Sequence, residues 1–83
     1  MTPIEALEAL AAVPGAAWAG IFWGTEAPGG PCWCIKVMVD SPNGVCLVAK
    51  EYSPTLSPPL LEHRVSVIIA QMAREREQGY PGG

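Results

Sequence analysis

Cys32, Cys34, Cys46 and His63 are the residue types of a Cys₃His zinc site, in which three thiolates and an imidazole converge on one ion. Such ligand atoms must come within about 4 Å of one another, given metal–sulfur bonds of about 2.3 Å. The hairpin that carries the cysteines decides whether they can. Ser41-Pro42-Asn43-Gly44 reads as its turn. Proline presets φ for the second position of a type I turn, asparagine suits the next, and glycine takes φ > 0 without a Cβ clash. With Pro42-Asn43-Gly44 as a three-residue loop, Ser41 pairs with Val45, Val39 with Leu47, Val37 with Ala49 and Ile35 with Glu51. Cys34 then lies six residues from the position opposite Cys46, roughly 20 Å along a strand. The register argues against a metal centre, so neither a metal nor any other cofactor is expected. Cys32 and Cys34 alternate along one strand, a spacing too wide for a relaxed disulfide. An odd cysteine count suits free thiols.

Other catalytic groupings fare no better. His63 needs a nucleophile; Ser66 is three residues on along a helix surface, and Ser57 is better placed as a helix cap. No oxyanion donor or orienting acid accompanies them. The eight carboxylates are spread over every element. Ala27-Pro28-Gly29-Gly30-Pro31 lacks the spacing and the Lys-Ser/Thr of a phosphate loop. The terminal Gly82-Gly83 invites a ubiquitin-like reading, but the element order differs from that of such folds. The expectation is a protein that is not an enzyme.

The hairpin register sorts side chains onto two faces, because successive residues of a strand point in opposite directions. Trp33, Ile35, Val37, Val39, Val45, Leu47 and Ala49 form an apolar face, the expected core. Cys32, Cys34, Lys36, Met38, Asp40, Cys46, Val48, Lys50 and Tyr52 form the other. Cys34, Met38, Val48 and Tyr52 make that second face more apolar than a solvated face requires.

Thr2-Pro3-Ile4-Glu5 opens a helix, with threonine as cap, proline at the first position and Glu5 bonding back. Ile4, Leu7, Leu10 and Ala11 form its apolar stripe at helical spacing. Pro14-Gly15 ends it. Ala16 to Glu26 is apolar and aromatic with a polar stop, and reads as a strand. Ile21 and Trp23 share one face of it; Trp18, Gly20, Phe22 and Gly24 share the other. The glycines suit an aromatic from a neighbour lying across the strand, or a bulge. After the hairpin, Ser57 caps a second helix with Pro58 at its first position. Leu61, Val65, Ile68, Ile69 and Met72 form its buried stripe, and Gly79 suits the position after its end.

At 83 residues the chain is one domain, 1–79, with a loose tail over 80–83. The fold class is α+β: a three-stranded antiparallel sheet with both helices on the Trp33/Val37/Leu47 face. The order α-β-β-β-α, with a Gly/Pro loop after the first strand, resembles that of double-stranded-RNA-binding domains. Leu7-Glu8 and Pro28-Gly29-Gly30-Pro31 fall where that family contacts minor grooves. The last helix departs from the family, which opens it with a lysine cluster on the phosphates; here it opens Ser57-Pro58-Pro59-Leu60-Leu61. The resemblance implies a shared topology and keeps nucleic-acid binding as the second functional reading.

Net charge is −3, and the five basic residues are scattered, which counts against nucleic acid as a partner. No apolar run reaches the roughly 20 residues of a membrane span, and the N-terminus lacks a signal-peptide pattern, so a cytoplasmic setting is expected. The leading expectation is a small protein-binding module, suited to a phage- or operon-encoded inhibitor or adaptor. Cys34, Met38, Val48, Tyr52, Trp18 and Phe22 are its expected contact residues, and edge strands offer a route to a homodimer.

Overall fold

The computed structural model describes residues 1–40, 44 and 46–78. In chain order the elements are α1 (Pro3–Ala11), β1 (Ala16–Gly24), β2 (Cys32–Asp40), β3 (Cys46–Ser53) and α2 (Pro58–Glu77). The sheet is antiparallel in the order β1-β2-β3, so β2 is central. Both helices pack on one face, giving the two-layer α+β fold that the pattern predicts.

The β2–β3 register is the one expected, with Val39 opposite Leu47, Val37 opposite Ala49 and Ile35 opposite Glu51. Gly44 has φ +85°, as a left-handed turn position requires. Ser41, Pro42, Asn43 and Val45 lie outside the described residues. One residue of the helix-side face is charged. Glu51 projects there and is met by Arg64 of α2, with Nη1 3.5 Å from Oε1.

α1 begins with the capping box read from its first residues. The Thr2 N–H donates to Glu5 Oε1 at 2.9 Å, and the Glu5 N–H donates to Thr2 Oγ1 at 3.2 Å. Its buried stripe is Ala6 and Leu10, continued by Val13 in the turn beyond. The expected stripe of Ile4, Leu7, Leu10 and Ala11 is therefore only partly right. Ile4 is 70% exposed, Ala11 is exposed and Leu7 is half-buried. At about 100° per residue, Ile4 and Ala11 fall well to the side of the Ala6, Leu10 and Val13 direction that faces the core.

α2 buries Leu61, Val65, Ile68 and Met72 in the shared core with Leu10, Ile35, Val37, Val39 and Ala49. Ile69 is turned partly to solvent. Ser57 occupies the N-cap position but its hydroxyl makes no capping bond. A cap accepts from the second or third helical N–H; Pro59 removes the second, and the Ser57 hydroxyl instead accepts from Thr55 Oγ1 at 3.5 Å. The role expected for Gly79 and the tail 80–83 fall outside the described residues.

β1 ends at Gly24, two residues before Glu26 where the strand was expected to stop. Its register shifts between Ala16 and Trp18, so Ala17 is bulged. Gly15, at φ +81°, turns the chain from α1 into this strand. Beyond the bulge, Ala19, Ile21 and Trp23 lie on the helix side, opposite Val37, Ile35 and Trp33. Trp18, Gly20, Phe22 and Gly24 lie on the outer side.

Two outcomes check this packing. Urea unfolding of Leu10→Ala should show a loss of about 2–5 kcal/mol, whereas Ile4→Ala should stay within about 0.5 kcal/mol of wild type. The Thr2 backbone N–H and then its hydroxyl hold the Glu5 carboxyl below its ordinary range. The cap's contribution is thus full above the ordinary glutamate range and fades as pH falls through the lowered value. Glu5→Gln should remove that acid-side dependence from α1 helicity followed by circular dichroism.

Candidate interaction surface

The outer sheet face is built in rows that cross the strands. Trp18, Met38 and Val48 form one row. Gly20, Lys36 and Lys50 form the next, and Phe22, Cys34 and Tyr52 the one after. Asp40 and Cys46 close one end; Gly24 and Cys32 lie at the other. Among the described residues no helix covers this face, because both helices pack on the opposite side.

Glycine shapes the face. A Cβ at Gly20 would overlap the indole of Trp18, and one at Gly24 would touch the ring of Phe22 at 3.5 Å. Each aromatic thus leans along its own strand onto the glycine two residues later. The ring at Gly20 comes from Trp18 of the same strand, not from a neighbour as the glycines suggested. It remains 46% exposed, and Val48 remains 40% exposed. Phe22, Met38 and Tyr52 are half-buried.

Lys36 and Lys50 face each other directly across β2 and β3, an arrangement that costs energy when nothing compensates it. Glu26 compensates one of them. The chain turns back after β1, and both Glu26 carboxylate oxygens stand 3.4 Å from Lys36 Nζ. Lys36 Nζ also sits 5.4 Å from the centre of the Phe22 ring, and Lys50 Nζ 5.8 Å from that of Tyr52. These are cation–π distances. The Tyr52 hydroxyl, and then its charge, hold the Lys50 ammonium protonated above its ordinary range.

Five of the six expected contact residues are therefore together on an open face: Trp18, Phe22, Met38, Val48 and Tyr52. Cys34 shares the face but not the exposure. Phe22 and Tyr52 flank it in its row, Glu26 reaches it from above with Oε2 3.8 Å from Sγ, and none of its surface is accessible. Contrary to expectation, it offers a partner no surface to touch. Alternation placed it on the outer side; only the returning Glu26 and the lean of its neighbours seal it.

Trp23 is the residue the expected contact set omits. It is on the helix side yet 56% exposed, edge-on to Trp33 with ring centres 5.5 Å apart. Its position just before the polar stop of the strand was the available signal, since strand ends project beyond the layer above them.

The cysteines all lie on the outer side, with Cys34 opposite Tyr52 and Cys46 opposite Asp40, six residues further along β2. His63 is exposed on α2, across the sheet from them. Among the described residues no three His, Cys, Asp or Glu side chains converge to hold a metal. No described helix is long and apolar enough to cross a membrane.

No family model, no curated protein and no solved structure matches this chain. The α-β-β-β-α order is therefore a statement of topology, carried by the strand pairings alone.

Burial pushes the Cys34 thiol above its ordinary range, and the neighbouring Glu26 charge adds to that. Thiolate is the reactive form. Timed alkylation read by peptide mass spectrometry should therefore modify exposed Cys46 first, half-buried Cys32 next and Cys34 last. The Cys34 rate should still be climbing at pH values above the ordinary thiol range.

Proposed function

We propose that this protein is a non-enzymatic protein-binding module, an inhibitor or adaptor, that docks its partner on the outer sheet face. The carrying observation is the row Trp18–Met38–Val48, which runs apolar across all three strands with both of its ends substantially exposed. A contiguous exposed apolar patch marks an interface, and tryptophan and tyrosine are the residues that anchor one.

The charges beside the row select the partner's chemistry. Lys50 has no carboxylate of its own among the described ion pairs, whereas Lys36 has Glu26. A partner that sets an apolar side chain on the row and an aspartate or glutamate beside Lys50 relieves the repulsion between the two lysines. The fitting ligand is an acidic segment of protein with an aromatic or aliphatic anchor.

Nucleic acid is the second reading. Three aromatics and two lysines share an open sheet, the composition of a base-stacking platform. Against it, each lysine sits by the face of a ring that a base would stack on, and the chain carries net charge −3.

Selection of displayed peptides on the immobilised protein tests both readings when paired with anisotropy titration of labelled single-stranded and duplex RNA at low salt. The expected result is peptides with an apolar anchor next to Asp or Glu, whose binding falls about tenfold or more in Val48→Glu and Lys50→Glu. Peptides indifferent to both substitutions, or RNA binding in the micromolar range that Lys50→Glu abolishes, would count against the protein reading.

A further inference from the structure

β1 and β3 are the two edges of the sheet, and they differ in kind. Strand edges offer unpaired N–H and C=O groups, and proteins guard them with charge, proline or bulges. β3 carries Lys50 and Glu51. β1 is Ala-Ala-Trp-Ala-Gly-Ile-Phe-Trp-Gly, nine residues with no charge and no proline. Its bulge, at Ala17, leaves Trp18–Gly24 as an uninterrupted run, and no described strand pairs with its outward side.

That run is self-complementary. Its middle residue is Ile21. If two copies pair antiparallel about Ile21, Gly20 stands opposite Phe22, Ala19 opposite Trp23, and Trp18 opposite Gly24. Every aromatic meets a small residue, on both faces of the sheet. Gly20 and Gly24 are already covered by Trp18 and Phe22 of their own strand, so the ring arriving opposite each glycine packs on that aromatic, a stabilising cross-strand contact.

A second observation agrees with the first and comes from the helix layer. An apolar groove of about 290 Å³ runs beside this edge, lined by Leu7 and Ala11 of α1 and by Ala16, Ala17, Trp18 and Ala19. In the Ile21-centred register, Trp23 of the second copy enters the helix side of the sheet opposite Ala19, at this groove. Trp23 is the most exposed aromatic of the described residues, at 56%. The groove borders the first half of β1, so the two-fold axis sets the two α1 helices toward opposite ends of the paired strands.

We infer that β1 is a self-pairing edge, and that the partner it fits is a second copy of this chain, joined as an isologous dimer through one continuous six-stranded sheet. The inference does not depend on what binds the outer face. In the dimer the two outer faces lie on the same side and become one surface, with Trp18 of each copy beside Phe22 of the other.

Sedimentation equilibrium of the full chain over a concentration series tests it. A dimer of twice the 8.8 kDa chain mass is expected. Trp23→Lys should weaken association by at least roughly tenfold while the far-ultraviolet dichroism stays native, because the side chain is largely exposed. The same charge placed on the other edge, Cys46→Lys, should leave association unchanged. Hydrogen exchange of the wild-type protein supplies a measurement free of substitutions: alternate amides of 18–24 should gain protection as concentration rises. A monomer up to about 1 mM, a dimer indifferent to Trp23→Lys, a dimer broken by Cys46→Lys, or concentration-independent exchange in β1 would each overturn the inference.

Discussion

The register of β2 against β3 is the constraint on which the rest depends. Val37 stands opposite Ala49 and Val39 opposite Leu47, so both strands show their aliphatic side chains to the same side. A slip of one residue on either strand would turn lysine into the core, because side chains alternate with period two. With the register held, the helix side becomes a surface that only two amphipathic helices can cover, and the outer side receives what remains. The core of Leu10, Ile35, Val37, Leu61, Ile68 and Met72 follows from that division. So does the row arrangement of the outer face.

This division also explains why the sheet has two unlike sides despite being only one chain thick. The helix side is sealed by a second layer. The outer side is sealed, where it is sealed at all, by its own side chains lying down on it. Cys34, flanked by Phe22 and Tyr52 and reached by Glu26, is the extreme case, a fully covered thiol with no second layer above it. The charges follow the same logic. Lys36 and Lys50 are forced together by the register, and the chain answers with Glu26 and two aromatic rings in place of a buried counter-ion.

How much of this was legible in the sequence varies by element, for physical reasons. The β2–β3 register was readable over its described pairs, because a three-residue loop implies one register and the two strands alternate to match it. α2 was readable for four of its five stripe positions; Ile69 fell at the stripe's margin, where helical spacing alone does not say how far the sheet reaches. In α1 two stripes overlap at Leu10, and spacing alone does not choose between Ile4 and Ala6. The two faces of β1 could be listed but not assigned, since Ala-Ala-Trp-Ala-Gly-Ile-Phe-Trp-Gly is apolar on both. Its bulge at Ala17 has no residue signature. The residues of the outer face were legible from alternation, but not the burial of Cys34, which depends on Glu26 returning from outside the strand.

The lean of Trp18 onto Gly20 and of Phe22 onto Gly24 has a thermodynamic side. A surface side chain free to rotate must be ordered before it can serve as an anchor, at a cost of about 0.5–1.5 kcal/mol each on association. Here the slots left by two glycines, and the lysines set against Phe22 and Tyr52, hold those rings in place in the free protein. Part of the rotational entropy of Trp18 and Phe22 is therefore surrendered during folding. A residue with no side chain thus decides where its neighbour's side chain comes to rest.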